Sequence, residues 1–267
     1  MTVLNLQRFI TSYVRDMNLR ETFKSVNDKE EWFTSFGLTP KEILLATQLD
    51  TAILDVTAAN LLRERIQKRE VEFTEFCAVL RQCGGFEDFM TDFVRQYPDG
   101  LLTREVEIRR FVEFGSNFMR EKVFSKAMTE LLHYSYNMSE ISKSPRIDPF
   151  NETPLNIEHP IYLKRPFRLV EFTYDMSQLV DNPDIRSFGD LESLPRKRNK
   201  VLFQKDYTQP VSCTVFEVDD DILFEFINGG FSYQEILQQA SESGTRERWE
   251  QIITDLYTNE SIGCSVA

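Results

Sequence analysis

The run Asp221-Ile222-Leu223-Phe224-Glu225-Phe226-Ile227-Asn228-Gly229-Gly230-Phe231-Ser232-Tyr233-Gln234-Glu235-Ile236 decides how the C-terminal part folds. Ile222, Leu223, Phe226 and Ile227 recur at helical spacing, which predicts a helix with these as its buried side. Asn228-Gly229-Gly230 stops that helix, because glycine tolerates the backbone that ends one. Ser232 and Glu235 have the spacing of a capping box, opening a second helix with Ile236 and Leu237. Asp219, Asp220 and Asp221 stand before the first helix, offering N-cap oxygens and negative charge where the helix dipole favours it.

Upstream, Val201–Lys205 and Ser212–Val218 predict a hairpin around Thr208-Gln209-Pro210, and alternation is clear in Arg168–Tyr174 before them. Ile161-Tyr162-Leu163 and Arg168–Tyr174 read as earlier strands, and Asp181–Lys200 is a polar stretch. Downstream, Thr245 to Tyr257 predicts a third helix burying Trp249, Ile252, Ile253 and Leu256. Strands followed by three helices are the layout of a small winged helix.

The N-terminal part reads as helix throughout, with no strand expected before about residue 138. Leu4, Leu6, Phe9, Ile10, Tyr13 and Val14 form one stripe, continued by Leu19, Phe23 and Val26. Asn27-Asp28 caps a helix through Trp32, Phe33 and Phe36, which Gly37 closes. Thr39, Pro40 and Glu42 occupy N-cap, N1 and N3 of the next helix. Ile43, Leu44, Ala46, Leu49, Ile53, Val56 and Leu61 then predict one long amphipathic run. Phe73, Phe76, Cys77 and Leu80 mark another helix, stopped at Cys83-Gly84-Gly85. Phe86, Phe89, Phe93 and Val94 mark a short one ending at the turn Tyr97-Pro98-Asp99-Gly100. Leu102–Met119 and Phe124–Tyr136 supply two more. Ser139 to His159, with Pro145, Pro149 and Pro154, reads as a linker.

The expected class is therefore α+β, a mostly helical N-terminal lobe followed by a winged-helix-like lobe of small antiparallel sheet and three helices. The expected segments are a small helical module at 1–50, a helical domain at 51–138, a linker at 139–160 and the winged-helix-like domain at 161–267.

Composition excludes several functions. The 267 residues carry a formal charge of -12, which argues against nucleic-acid binding, since neutralising phosphate needs a dominant basic surface. The basic run Arg196-Lys197-Arg198 with Lys200 reads as a solvated loop. No apolar run approaches a membrane span, and the N-terminus has no signal-peptide pattern. Cys77, Cys83, Cys213 and Cys264 form no CxxC or paired framework, so reduced thiols and a cytoplasmic location are expected. His133 and His159 are the two histidines, far apart and outside any zinc spacing, and both read as structural. GxSxG, GxGxxG and GxxxxGK[ST] are absent, so no catalytic machinery of the chain's own is expected, with carboxylate-only chemistry among the 43 acids as the open alternative. The phenylalanine stripes read as core.

The C-terminal run, from Val201-Leu202-Phe203 through Val218, Ile222-Leu223 and Phe226 to Ile236, resembles the RiPP recognition element. That is the peptide-binding winged helix of ribosomal-peptide modification pathways. Phe73, Phe76 and Leu80, then Gly85, Phe89, Phe93, Tyr97 and Pro98, then Glu107, Phe111 and Phe114, resemble the helical domain of partner proteins of multinuclear non-heme iron oxidative enzymes. The joint order of both lobes, over about residues 50 to 260, is that family's layout. Asp16, Leu19, Arg20 and Phe23, with Phe33, Phe36, Gly37, Leu38, Thr39 and Glu42, resemble a small helical module of extradiol-dioxygenase accessory subunits and some leader peptides. Within the partner family this extra module resembles the type that serves thiaglutamate biosynthesis.

The resemblance implies a non-catalytic subunit that binds a ribosomal precursor peptide and presents its cysteine to a barrel-fold iron enzyme as a heterodimer. The chain itself would hold no cofactor, because the iron would be in the partner subunit. The implied reaction is oxidative excision of a carbon from a C-terminal cysteine. Peptide capture would be strand addition to an edge strand from Val211 to Val218, through Val211, Cys213, Val215 and Glu217. Trp249, Ile252 and Ile253 would line the groove beside the third helix. Asp219, Asp220 and Asp221 either cap the helix or meet basic leader residues. The rival classes are a winged-helix DNA-binding regulator, which needs a basic recognition helix where Arg246-Glu247-Arg248-Trp249-Glu250-Gln251 is mixed in charge, and a dioxygenase accessory protein without a peptide substrate.

Overall fold

The computed structural model describes residues 4–98, 103–122, 124–146, 155, 158–178, 188–205, 211–217 and 220–264. The fold is α+β, and the chain divides into two units, Met1–Phe124 and Ser125–Ala267.

The first unit comprises α1 (Leu4–Arg15), α2 (Met17–Ser25), α3 (Lys29–Ser35), α4 (Pro40–Ala46), α5 (Thr51–Glu72), α6 (Thr74–Gln82), α7 (Phe86–Gln96) and α8 (Arg104–Glu121). Its helix starts follow local chemistry. Asp16, Asp28 and Asp50 are N-caps whose carboxylates accept from Leu19, Glu31 and Ala52 backbone N–H groups. The capping box of Thr39 and Glu42 forms as its spacing requires. Glu42 does more than cap α4. One carboxylate oxygen accepts from Thr39, while the other accepts from the backbone N–H of Asn5 and Leu6 at 3.0 and 3.1 Å. These hydrogen bonds, led by that from the Thr39 backbone, hold its carboxyl below the usual glutamate range.

Two aromatic clusters fill the unit. Phe9, Tyr13, Phe23 and Phe33 are buried together, with Trp32 and Phe36 against them. Phe89 stands edge-on to Phe111 and Phe118 at 5.2 and 5.1 Å, and Phe73 and Phe93 also meet Phe111. Near the second cluster Arg65 pairs with Glu107 at 2.5 Å. Arg69 and Arg104 both reach Glu72.

The second unit comprises α9 (Lys126–Lys143), β1 (Ile161–Leu163), β2 (Phe167–Phe172), α10 (Phe188–Ser193), β3 (Asn199–Gln204), β4 (Ser212–Glu217), α11 (Asp221–Asn228), α12 (Tyr233–Ser243), α13 (Arg246–Thr258) and β5 (Ile262–Cys264). β2, β3 and β4 form an antiparallel sheet in that order, and β1 pairs with β5. On one face of the larger sheet, Tyr134 of α9 packs on Phe203 at 5.3 Å and Phe172 at 6.4 Å. Leu202 and Phe216 turn to the opposite face, into a core with Leu223, Phe224, Ile227, Ile236, Trp249 and Ile253. The helical restart is as expected: Gly230 takes φ +75°, and Ser232 and Glu235 close a capping box.

Several expectations need correction. The stripe from Ile43 to Leu61 is not one helix, because the chain breaks after Ala46 and Asp50 caps a new start. Leu44, Ile53, Val56 and Leu61 are exposed, whereas α5 turns Leu54 and Ala58 inward. The boundary at residue 50 also fails, since Leu54 completes the first aromatic cluster and Tyr13 Oη donates to Asp55 at 3.0 Å. The unit boundary lies after Phe124 instead of residue 138, because the apolar face of α9 covers β2 and β3. α9 runs on through Lys143, into the expected linker. On α11, Phe224 is buried where Ile222 was expected, and Ile222 is exposed. β5, paired with β1, is a strand that the sequence pattern does not predict. Asp99, Gly100, Thr208, Gln209, Pro210, Val218 and Asp219 lie outside the described residues, as do parts of the expected linker and of the polar stretch 181–200.

Candidate functional site

β4 is the outer strand of its sheet among the described residues, paired on one side to β3 with Val215 opposite Val201 and Cys213 opposite Phe203. Side chains alternate along it, as the period of two demands. Phe216 meets the Phe224 ring at 4.7 Å in the core of α11, α12 and α13. Cys213 faces the other way, its Sγ 3.2 Å from the Met138 sulfur and accepting from Tyr134 Oη at 3.7 Å. Cys213 and Val215 are half-buried, and Val211, just before the strand, is buried.

Glu217, at the end of β4, is exposed but not free. It accepts from Lys197 Nζ at 3.0 Å and pairs with Arg248 Nη1 at 3.1 Å. These cations, Lys197 foremost, hold its carboxyl below the ordinary glutamate range. The same Arg248 guanidinium donates through Nη2 to Asp220 at 2.7 Å, and Asp220 is only 2% exposed. One arginine of α13 thus ties the end of β4 to the start of α11.

The structure therefore divides the expected site residues. Val211, Cys213, Val215 and Glu217 lie on or beside the outer strand, as expected. Trp249 and Ile253 do not line a groove, because they are 3% and 0% exposed and belong to the core. Ile252 is half-buried, one helical turn from Arg248, so these two share a side of α13. Asp220 makes no side-chain cap to α11, since its carboxylate is engaged by Arg248 instead. Asp221 pairs with Lys200 at 2.5 Å.

Arg248 and Asp220 were missed as a pair. Their only sequence signals were a charged helix and an acidic run, and nothing local links residues 28 apart in the chain. The basic run is likewise more than a solvated loop. Lys197 holds Glu217, Arg198 holds Glu171 and Lys200 holds Asp221.

The four cysteines are free, and burial pushes the Cys77 thiol up to about 12. Burial also lowers the pKa of His133. Among the described residues no group of three or more His, Cys, Asp or Glu is placed to hold a metal ion. No described helix is long and apolar enough to cross a membrane. No known family model matches the chain, and no curated protein matches it.

Proposed function

We infer that this chain is a non-catalytic partner subunit of an iron- and dioxygen-dependent peptide-modifying enzyme. It would hold the leader of a ribosomal precursor peptide and present that peptide's cysteine to a barrel-fold iron subunit, in a cytoplasmic heterodimer. The observation that supports this most is the place of β4, outermost in its sheet among the described residues, with α13 tethered to its end by Arg248. An outer strand leaves N–H and C=O groups unpaired, and an extended peptide can satisfy them. Half-buried Cys213, Val215 and Ile252 keep apolar area that such a peptide would remove from water.

The iron and the oxidation, a thiaglutamate-type carbon excision at a C-terminal cysteine, would belong to the partner. This chain's residues would contribute affinity and orientation, which raise the rate by proximity. The DNA-binding alternative needs free cations on α13. Of its two arginines, Arg246 and Arg248, the second is committed to Asp220 and Glu217.

The test is coexpression with the iron enzyme, followed by amide hydrogen exchange with and without the leader. Slowed exchange across Ser212–Glu217, and weakened leader binding by a Val215→Pro chain of unchanged melting temperature, are expected. Leader binding that leaves those amides unprotected would sink the reading. Salt-dependent capture of duplex DNA by an isolated monomer would sink it too.

A further inference from the structure

We propose that the second unit carries a phosphate-binding site at the start of α9, separate from the β4 edge. A cavity of about 300 Å³ there is lined by Lys126, Thr173, Tyr174, Arg196 and Arg198. Three of these five side chains are cations and none is an acid, in a chain whose formal charge is -12. Like charges gathered in one cleft repel, and the arrangement is relieved by an anion between them.

The helix adds to the same field. Lys126 is the first residue of the 18-residue α9, whose first turn contains no acid. A cation at a helix N-terminus opposes the dipole, where an acid would complement it. The N-cap, Ser125, makes no side-chain cap, and its buried Oγ has no hydrogen-bond partner. Backbone N–H groups at such an end are donors suited to an oxyanion.

Nearby acids neutralise only one of the three cations. Glu130, one turn along α9, is occupied by the end of β2, accepting from the backbone N–H groups of Thr173 and Tyr174 and from Thr173 Oγ1. Glu171 accepts from Arg198 Nε at 2.8 Å, and among the described residues neither Lys126 nor Arg196 pairs with an acid. Arg196 lies with its guanidinium carbon 5.9 Å from the centre of the Tyr174 ring, which gives that side chain a wall to rest on. The guanidinium fork of Arg196 matches the paired oxygens of a phosphate, and Lys126 adds a second point of charge. The volume is at the small end for ligand sites, so the fitting ligand is phosphate or a small phosphate monoester.

The test is isothermal titration of the full chain, at constant ionic strength in chloride, with inorganic phosphate and separately with glycerol 3-phosphate. Saturable binding is expected, weakened about tenfold or more in Lys126→Ala and in Arg196→Ala, as loss of a charge-assisted contact implies. Both residues are exposed, and the melting temperature of the unliganded variants should be unchanged. Tighter binding of the ester assigns the site to an organic phosphate, and equal binding assigns it to the free ion. Absence of saturation with either ligand, or variants that bind as the parent does, overturns the proposal.

Discussion

Arg248 Nη2 lies 2.7 Å from Asp220 Oδ2, joining an arginine that is half in solvent to a carboxylate that is almost wholly buried. The asymmetry sets what each substitution does. Arg248→Ala leaves a buried carboxylate without its cation, and should cost about 1–3 kcal/mol, less than a fully buried pair because the arginine is partly screened. Urea denaturation measures it. Asp220→Asn combined with Arg248→Ala should cost less than the sum of the two, since the second change removes the charge the first orphans. Strict additivity would mean the contact contributes nothing.

Trp249 and Ile252 are adjacent groove candidates by sequence, but the structure separates them. Trp249→Ala opens a cavity in the core and should cost about 3–5 kcal/mol. Ile252→Ala, at a half-buried position, should cost about 1 kcal/mol and weaken leader binding more than it lowers stability. If Ile252→Ala leaves leader affinity unchanged, that side of α13 takes no part in binding.

Glu42 and Glu217 predict an acid-labile fold. Both carboxyls have folded pKa values held below the ordinary glutamate value of 4.5. A depressed acid contributes stability that is fully present above its unfolded pKa and is lost as pH falls through the folded one. Urea midpoints should therefore be flat near neutrality and decline below about pH 4.5. Glu42→Gln should flatten that decline, because the charged acceptor for Thr39, Asn5 and Leu6 is gone.

Cys77 is fully buried with a thiol pKa of about 12, so almost none of it is thiolate at pH 8. Iodoacetamide at that pH, read by peptide mass spectrometry, should label Cys77 only after unfolding. Labelling of Cys77 as fast as Cys264 in the native chain would contradict its burial.

What one sequence could determine here was local. Caps and stops were legible because their partners lie within a few residues: Thr39 with Glu42, Ser232 with Glu235, Gly37 and Gly230 at helix ends. The strands of the three-stranded sheet, the phenylalanine cores and the α+β class followed from periodicity, since burial on one face imposes it. What only the tertiary structure decided depends on which faces meet. Periodicity marked Ile53, Val56 and Ile222 as apolar but could not say that α5 and α11 turn other residues inward. It placed Trp249, Ile252 and Ile253 on one helix without separating core from surface, because their burial depends on the sheet packed against them. The joining of Asp220 to Arg248, and the gathering of Lys126, Arg196 and Arg198 around one cavity, arise from folding segments far apart in the chain. No local rule encodes those distances, because the energy that sets them is the burial of apolar surface elsewhere in the unit.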